Sequence, residues 1–321
     1  MRLIMMGTGP FAVPTLERLY DSPHEVLALV TRPARPLHRK SQAEANPMRA
    51  LALARGTRVH DPEDINATPA RAVLASYRPD LFVVCDYGQI LSPAVLELAR
   101  LGGINLHASL LPKYRGAAPI NWAIYHGETE TGVTVIHMTA ALDAGPAIVQ
   151  LATPIGAEET AAQVEPRLAE LGAPAVLQAI EALAAGTARP IEQDPTLATR
   201  APRLKKEDGA VDWQRSAAAI RNQVRALAPW PKTHTFWQRP GGEPLRLILE
   251  KVHVEPASGN RGDVAPIEPG AVLEAAGERL AIATGTGVLA IEALQPAGKR
   301  VLATGEFLRG YGVKPGDRFG G

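Results

Sequence analysis

The sequence holds a single cysteine, Cys85, among 321 residues. An intramolecular disulfide is impossible, and a cysteine-rich zinc site is excluded. Long apolar runs are missing too: no stretch approaches the roughly 18 residues that a membrane-spanning helix needs. The opening MRLIMMGTGPF reaches Gly and Pro too soon for a signal peptide. These absences predict a cytoplasmic protein with no membrane partner. An excess of one charge is also lacking, since 34 Lys and Arg against 33 Asp and Glu leave a net charge of +1. Any nucleic-acid site must therefore be a local patch and not a property of the whole surface. There are no repeats or low-complexity tracts, and 46% hydrophobic with 21% charged residues excludes a disordered or fibrous chain.

What is present is enough chain for two cores. In the first half, β-rich runs alternate with helical stretches, which predicts a parallel sheet covered by helices. Strands are expected over 2–6, 25–30, 81–85 and 104–107, with helices following Pro14, Asn46, Thr68 and Pro93. Residues 132–138 and 146–153 read as a strand pair joined by a loop through Asp143. Residues 160–185 read as a long amphipathic helix, because Val164, Leu168, Leu171, Val176, Ile180 and Leu183 recur at helical spacing. The polar, proline-bearing stretch IEQDPTLATRAPRLKKEDG predicts a linker over 188–207, between a catalytic domain 1–187 and a second domain 208–321. There, a helix over 214–226 precedes strands over 233–237, 245–254, 270–274, 279–284 and 288–294, a spacing that suits a small OB-like barrel. The expected fold class is α/β: a Rossmann-like, mostly parallel sheet with helices, followed by a smaller OB-like β-barrel domain.

Two places carry candidate chemistry. Gly7-Thr8-Gly9-Pro10-Phe11-Ala12 follows the first strand and opens a helix, matching the dinucleotide fingerprint superficially. The second strand leads to Thr31 and Arg32 where NAD enzymes place a carboxylate, so the motif reads either as an NADP site or as a tight turn that needs glycine. The second place is Asn105 and His107, two apart at a strand end, so both side chains share one face. An amide donor and a titratable ring on one face suit a developing oxyanion. Strand ends of open parallel sheets are where ligands bind. Asp143, in the Gly-bearing loop Leu142-Asp143-Ala144-Gly145-Pro146, is either a turn residue or a carboxylate that fixes the His107 tautomer. Cys85, in an apolar run, reads as core and not as a nucleophile.

Basic residues cluster locally. Between Arg32 and Arg58 there are seven (Arg32, Arg35, Arg39, Lys40, Arg49, Arg55, Arg58) against one acid, Glu44. Residues 31–46 carry two prolines and no periodicity, as a basic loop for phosphates would. Arg200, Arg203, Lys205 and Lys206 form a second set, and Lys299, Arg300, Arg309, Lys314 and Arg318 a third.

The stretch NLHASLLPKYRGAAPINWAIYHGETETGVTVIHM, with LDAGP behind it, resembles the active-site signature of the formyltetrahydrofolate-using transferases. MGTGPFAVPTLERL, ATRAPRLKKEDGAVDW and Leu294-Gln295-Pro296-Ala297-Gly298-Lys299 resemble, in order and spacing, the members of that family that act on initiator methionyl-tRNA. The resemblance implies the formyltransferase fold and transfer of the formyl group of 10-formyltetrahydrofolate, without a metal, to the α-amino group of the charged tRNA. It implies a catalytic trio of Asn105, His107 and Asp143. It places Ser109, Leu110, Leu111 and Pro112 against the reduced folate, and Tyr87, Gly88, Gln89, Ile90 and Leu91 against its pteridine ring. It implies tRNA contacts from Arg32, Arg35, Arg39, Lys40, Arg203, Lys205, Lys206, Lys299 and Arg300, on a monomer. The family often has Gly-Thr-Pro where this chain has Gly7-Thr8-Gly9, and Ala-Tyr-Gly where it has Asp86-Tyr87-Gly88, so Asp86 adds a charge beside the folate segment. Alternatives are a formyltransferase acting on another amine, such as a nucleotide sugar, or a formyltetrahydrofolate hydrolase. An NADP-dependent oxidoreductase and a non-catalytic RNA-binding protein are more distant ones.

Overall fold

Leu3, Ile4, Met5 and Met6 on the first strand, Arg2–Met6 (β1), are all fully buried. Apolar side chains on both faces of one strand require a sheet covered on both sides. The computed structural model describes residues 1–33, 46–255 and 268–320, which divide into two compact units. The first comprises residues 1–120, 130–154 and 163–202, and the second residues 121–129, 155–162 and 203–321.

In the first unit the chain continues from β1 through Val13–Tyr20 (α1), Glu25–Val30 (β2), Pro47–Ala54 (α2), Arg58–His60 (β3), Thr68–Ser76 (α3), Leu81–Val84 (β4), Pro93–Leu96 (α4) and Gly103–His107 (β5). The helices start where the sequence signals them: Asn46 caps α2 by accepting from Arg49 N at 3.0 Å, and Pro47 fills the first helical position. The short pairs Arg115–Gly116 (β6) and the later Arg200–Ala201 (β9) lie together. Pro119–Tyr125 (α5) passes into the second unit, and Glu130–His137 (β7), Ala147–Pro154 (β8) and Ala161–Ala184 (α6) complete the first. The main sheet runs β3-β2-β1-β4-β5-β7-β8, parallel as far as β5 and antiparallel for the last two strands. Strand order reverses between β1 and β4, which makes the crevice above their carboxyl ends the expected ligand site.

One face of that sheet packs Ile4, Met6, Val30, Phe82 and Val84 against Ile65, Leu74, Val95 and Leu96. Gly172 admits α6 against β5, since a Cβ there would lie 2.5 Å from Leu106 Cδ2. Cys85 is fully buried, and burial holds its thiol well above the ordinary value, as expected of a core residue.

The second unit holds Ala217–Ala226 (α7), capped by Ser216, then Thr233–Gln238 (β10), Leu245–Val254 (β11), Val272–Ala276 (β12), Arg279–Ala283 (β13) and Val288–Pro296 (β14). Leu302–Ala303 (β15), Thr304–Gly310 (α8) and Arg318–Phe319 (β16) follow. The antiparallel sheet runs β12-β13-β14-β11-β10-β16, and a bridge between Ala271 and Arg318 joins its two ends, so it nearly closes into the barrel that the sequence predicts. Its core gathers Trp213, Ile220, Trp237, Leu247, Leu249, Leu280, Leu289, Ile291, Leu294 and Phe307. The buried Arg225 of α7 donates to Gly156 O and Glu159 O, each at 3.0 Å, which ties residues 155–162 into this unit.

Candidate active site

β5 carries the two residues that the strand pattern singles out. Asn105 pairs with Val84 of β4 on one side and Ile136 of β7 on the other, and His107 pairs with Thr134, so both are anchored in the sheet. His107 is buried, and its Nε2 meets Tyr114 O at 2.8 Å. A carbonyl only accepts, so Nε2 carries a hydrogen and Nδ1 is left facing the site. Nδ1 lies 3.7 Å from Asp143 Oδ2, beyond direct hydrogen-bond reach. Asn105 Nδ2 lies 3.5 Å from Asp143 Oδ1, and Gly116 N donates to Asp143 Oδ2 at 2.9 Å. The three side chains named from the sequence therefore converge.

The loop between β7 and β8 delivers Asp143 through unusual backbone. Asp143 adopts φ 51, and a Cβ on Gly145 would lie 1.8 Å from His137 O, so only glycine passes there. Gln193 holds the loop: its Nε2 donates to Asp143 O at 2.9 Å and Gly145 O at 2.7 Å, while its Oε1 accepts from Arg115. Thr199 Oγ1 accepts from Tyr114 N at 2.8 Å, and Ala201 O accepts from Ala117 N at 2.8 Å. Sequence reasoning missed Tyr114, Gly116, Gln193 and Thr199. Most of these act through backbone atoms or on backbone atoms, and no residue-type signal marks them.

The two segments assigned to the folate divide by exposure. Ser109 is buried with Oγ bonded to Lys113 O, and Leu111 is buried with its N–H on Thr134 Oγ1 and its carbonyl on Gln150 Nε2. Leu110 and Pro112 are partly open. Tyr87 and Leu91 belong to the core, and burial raises the Tyr87 hydroxyl to about 12. Gln89 is spent on Ile65 N and Pro62 O, and Ile90 O accepts from Asn66. Gly88, with φ 81, is exposed, and the Ile90 side chain is 71% exposed, an apolar surface open to a ligand.

The glycine-rich turn after β1 has a packing explanation. A Cβ on Gly7 would lie 2.8 Å from Cys85 O. Gly7 N donates to Val30 O and Thr8 N to Asp86 O, each at 3.0 Å. At the helix entrance Gly9 N is taken by the Asp86 carboxylate, Pro10 has no N–H and Ala12 N bonds to Gly9 O at 3.2 Å, which leaves few amides to cradle a pyrophosphate.

Of the basic residues, Arg32 lies over Gly88, where an added Cβ would meet its Cδ and Nη1 at 3.2 Å. Arg35, Arg39 and Lys40 lie outside the described residues. Arg203, Lys205, Lys206, Lys299 and Arg300 are all exposed on the second unit, Arg300 paired with Glu306 at 2.9 Å. Arg49 and Arg55 are engaged in surface ion pairs with Asp61 and Asp21. Among the described residues no group of three or more His, Cys, Asp or Glu is placed to hold a metal ion, and no helix is long and apolar enough to cross a membrane.

Comparison with known proteins places this geometry. Residues 1–180 match the formyl transferase family and residues 203–312 the formyl transferase C-terminal domain. A methionyl-tRNA formyltransferase of Citrifermentans bemidjiense is 41% identical over 320 residues, covering 100% of this chain and 96% of that one. An N-formyltransferase from Helicobacter canadensis, solved with folinic acid and dTDP-3-aminofucose, shares the fold at a TM-score of 0.63 and 17% identity, over 90% of this chain and 98% of that one. HypX from Aquifex aeolicus, solved with tetrahydrofolic acid, shares it at 0.56 and 19% identity, over 96% of this chain and 47% of that one, so this chain spans about half its length. Matched by both domains in order, with Asn105, His107 and Asp143 gathered at the carboxyl edge of its sheet, the chain belongs to the formyl transferase family.

Proposed function

We propose that this protein transfers the formyl group of 10-formyltetrahydrofolate to the α-amino group of initiator methionyl-tRNA. The observation that carries this reading is 41% identity to a methionyl-tRNA formyltransferase along the full chain. The geometry supplies a mechanism. The neutral amine attacks the formyl carbon, and the adduct carries a negative oxygen that needs donors. Asn105 Nδ2 and His107 Nδ1 both face Asp143 from β5. An oxygen beside the carboxylate receives both, His107 acting from its doubly protonated form. Tyr114 O fixes the ring through Nε2, and Asp143 balances the charge that the ring then carries. The adduct collapses with a proton passing to the departing nitrogen of tetrahydrofolate. Gly88, Ile90 and Leu110 are the accessible members of the two segments assigned to the folate. The exposed basic side chains of the second unit, with Arg32 and the 34–45 segment, are assigned to the tRNA phosphates.

The test is transfer of labelled formyl from 10-formyltetrahydrofolate to charged initiator methionyl-tRNA, with free methionine and uncharged tRNA as controls. Labelled ester-linked formylmethionine is expected, falling about 100- to 1,000-fold in His107→Ala, the usual cost of losing one oxyanion donor. Folate binding without transfer to this acceptor would overturn the reading and redirect it to another amine or to hydrolysis.

A further inference from the structure

The loops after β1 and β4 flank the point where strand order reverses, the crevice in which open α/β sheets bind ligands. Two residues in those loops fit each other. A Cβ on Gly9 would lie 1.9 Å from Asp86 Oδ2, so only glycine leaves room for the carboxylate where it stands, and the Gly9 N–H donates to it. Asp86 itself adopts φ 48, a left-handed conformation that non-glycine residues rarely take. The residue as a whole is exposed although its carboxyl is packed against protein, and among the described residues it makes no ion pair. A carboxylate held by strained backbone at the mouth of a ligand crevice, with no ion pair among the described residues, is placed for a ligand that brings a cation.

Its position relative to the reacting centre follows from the register. Val84, the last residue of β4, pairs with Asn105 of β5, so the loop that carries Asp86 leaves β4 beside the strand that carries Asn105 and His107. Of the two reactants in the proposed transfer, the acceptor brings the cation, its α-ammonium, whereas the donor is neutral at its formyl group and anionic at its glutamate tail. We propose that Asp86 holds the α-ammonium group of the aminoacyl acceptor and removes its proton before attack, with Gly9 as the residue that makes room for it. This rests on the formyl-transfer reading above. One N–H bond of the ammonium breaks, its proton goes to the Asp86 carboxylate and then to solvent, and the freed lone pair forms the bond to the formyl carbon. A second amine proton later goes to the departing folate nitrogen.

The surrounding charges agree with a base. Protein packed around the Asp86 carboxyl, together with Glu165 on α6, pushes it up to about 6 against the pull of the Gly9 N–H. Burial raises Glu165 as well. Arg32 lies over Gly88, and His107 and Asp143 belong to the adjacent strand and its facing loop. A carboxyl near 6 is far closer to an α-amino group, ordinarily about 7.7 to 8.0, than an ordinary aspartate is, so the transfer is less uphill.

The test varies pH and both substrates in Asp86→Asn, which keeps the shape and the left-handed backbone but loses the base. Without it, the enzyme must wait for the neutral amine, about 10–20% of the total at pH 7. A loss of roughly fivefold to tenfold in kcat/KM for methionyl-tRNA is therefore expected at pH 7, vanishing by pH 9, with KM for 10-formyltetrahydrofolate unchanged. A raised KM for the donor, a loss independent of pH, or no loss at all would each overturn the assignment. Gly9→Ala is expected to lower the melting temperature and reproduce the loss at pH 7, and Gly9→Ala/Asp86→Ala to recover the melting temperature. Equal melting of all three would refute the fit between the two residues. That thermal arm stands even if the wild type formylates no aminoacyl-tRNA, an outcome that would sink the functional reading instead.

Discussion

Asp143→Asn is the most informative single change in the site. The residue sits at φ 51, where Asn is the best tolerated replacement, so the backbone is not a confounding factor as it would be for Ala. An Asn oxygen placed where Oδ2 now lies still accepts from Gly116 N, which is 2.9 Å away. The new amide then occupies the place of Oδ1 and meets Asn105 Nδ2, donor against donor, at 3.5 Å. Asn105 relieves that clash by turning its oxygen inward, and the site loses a donor worth about 2.7 to 4 kcal/mol in the transition state. His107 Nδ1 loses the negative partner 3.7 Å away, a term of about 4 kcal/mol at an effective dielectric constant near 20. The two terms act on one intermediate and do not add. A loss of about 4 kcal/mol is expected, which is roughly 1,000-fold in kcat/KM. Single-turnover transfer of labelled formyl to methionyl-tRNA measures the activity, and urea unfolding should show stability kept to within about 1 kcal/mol. A fall of less than about tenfold, or one matched by unfolding, would refute the assigned role of Asp143.

Three further outcomes follow from the same geometry. Gly116→Ala places a Cβ 2.4 Å from Ala201 O at φ 131, so it should open the β6–β9 pairing and cost about 2 kcal/mol or more by chemical denaturation. Gln193→Ala removes both bonds that hold the Asp143 loop, and should lower kcat about tenfold with near-normal melting; an unchanged kcat would show that the loop holds itself. Asp86 is raised to about 6 in the folded protein, so its contribution to stability is present below about 4 and is lost as pH rises through 6. Asp86→Asn should therefore match the wild type in melting near pH 4 and exceed it above pH 6.5. Because the residue is exposed to solvent that screens its charge, the gain should be no more than about 1 kcal/mol, and a gain confined to acid pH would refute the assigned direction of the shift.

Local pattern determined much of this protein from the sequence alone. Apolar β-rich runs marked β1, β2, β4 and β5, helical periodicity marked α6, and the even spacing of strands after residue 232 marked the barrel. Those signals survive because hydrophobic period is a property of neighbouring residues. Asn105 and His107 were legible for the same reason, a two-residue offset on a strand. Shorter elements, β3, β6 and β9, carry too few residues for a period and take their form from their partners. Contacts between distant segments were settled only by the tertiary fold. Nothing in residue type says that Tyr114 O will anchor His107, or that Gln193, from a stretch that reads as plain linker, will hold the Asp143 loop. Gly9 and Asp86 look like two separate departures from a family pattern until the fold brings them together. They lie 77 positions apart (86 − 9), and adjacent parallel strands place them where one side chain occupies the space the other lacks.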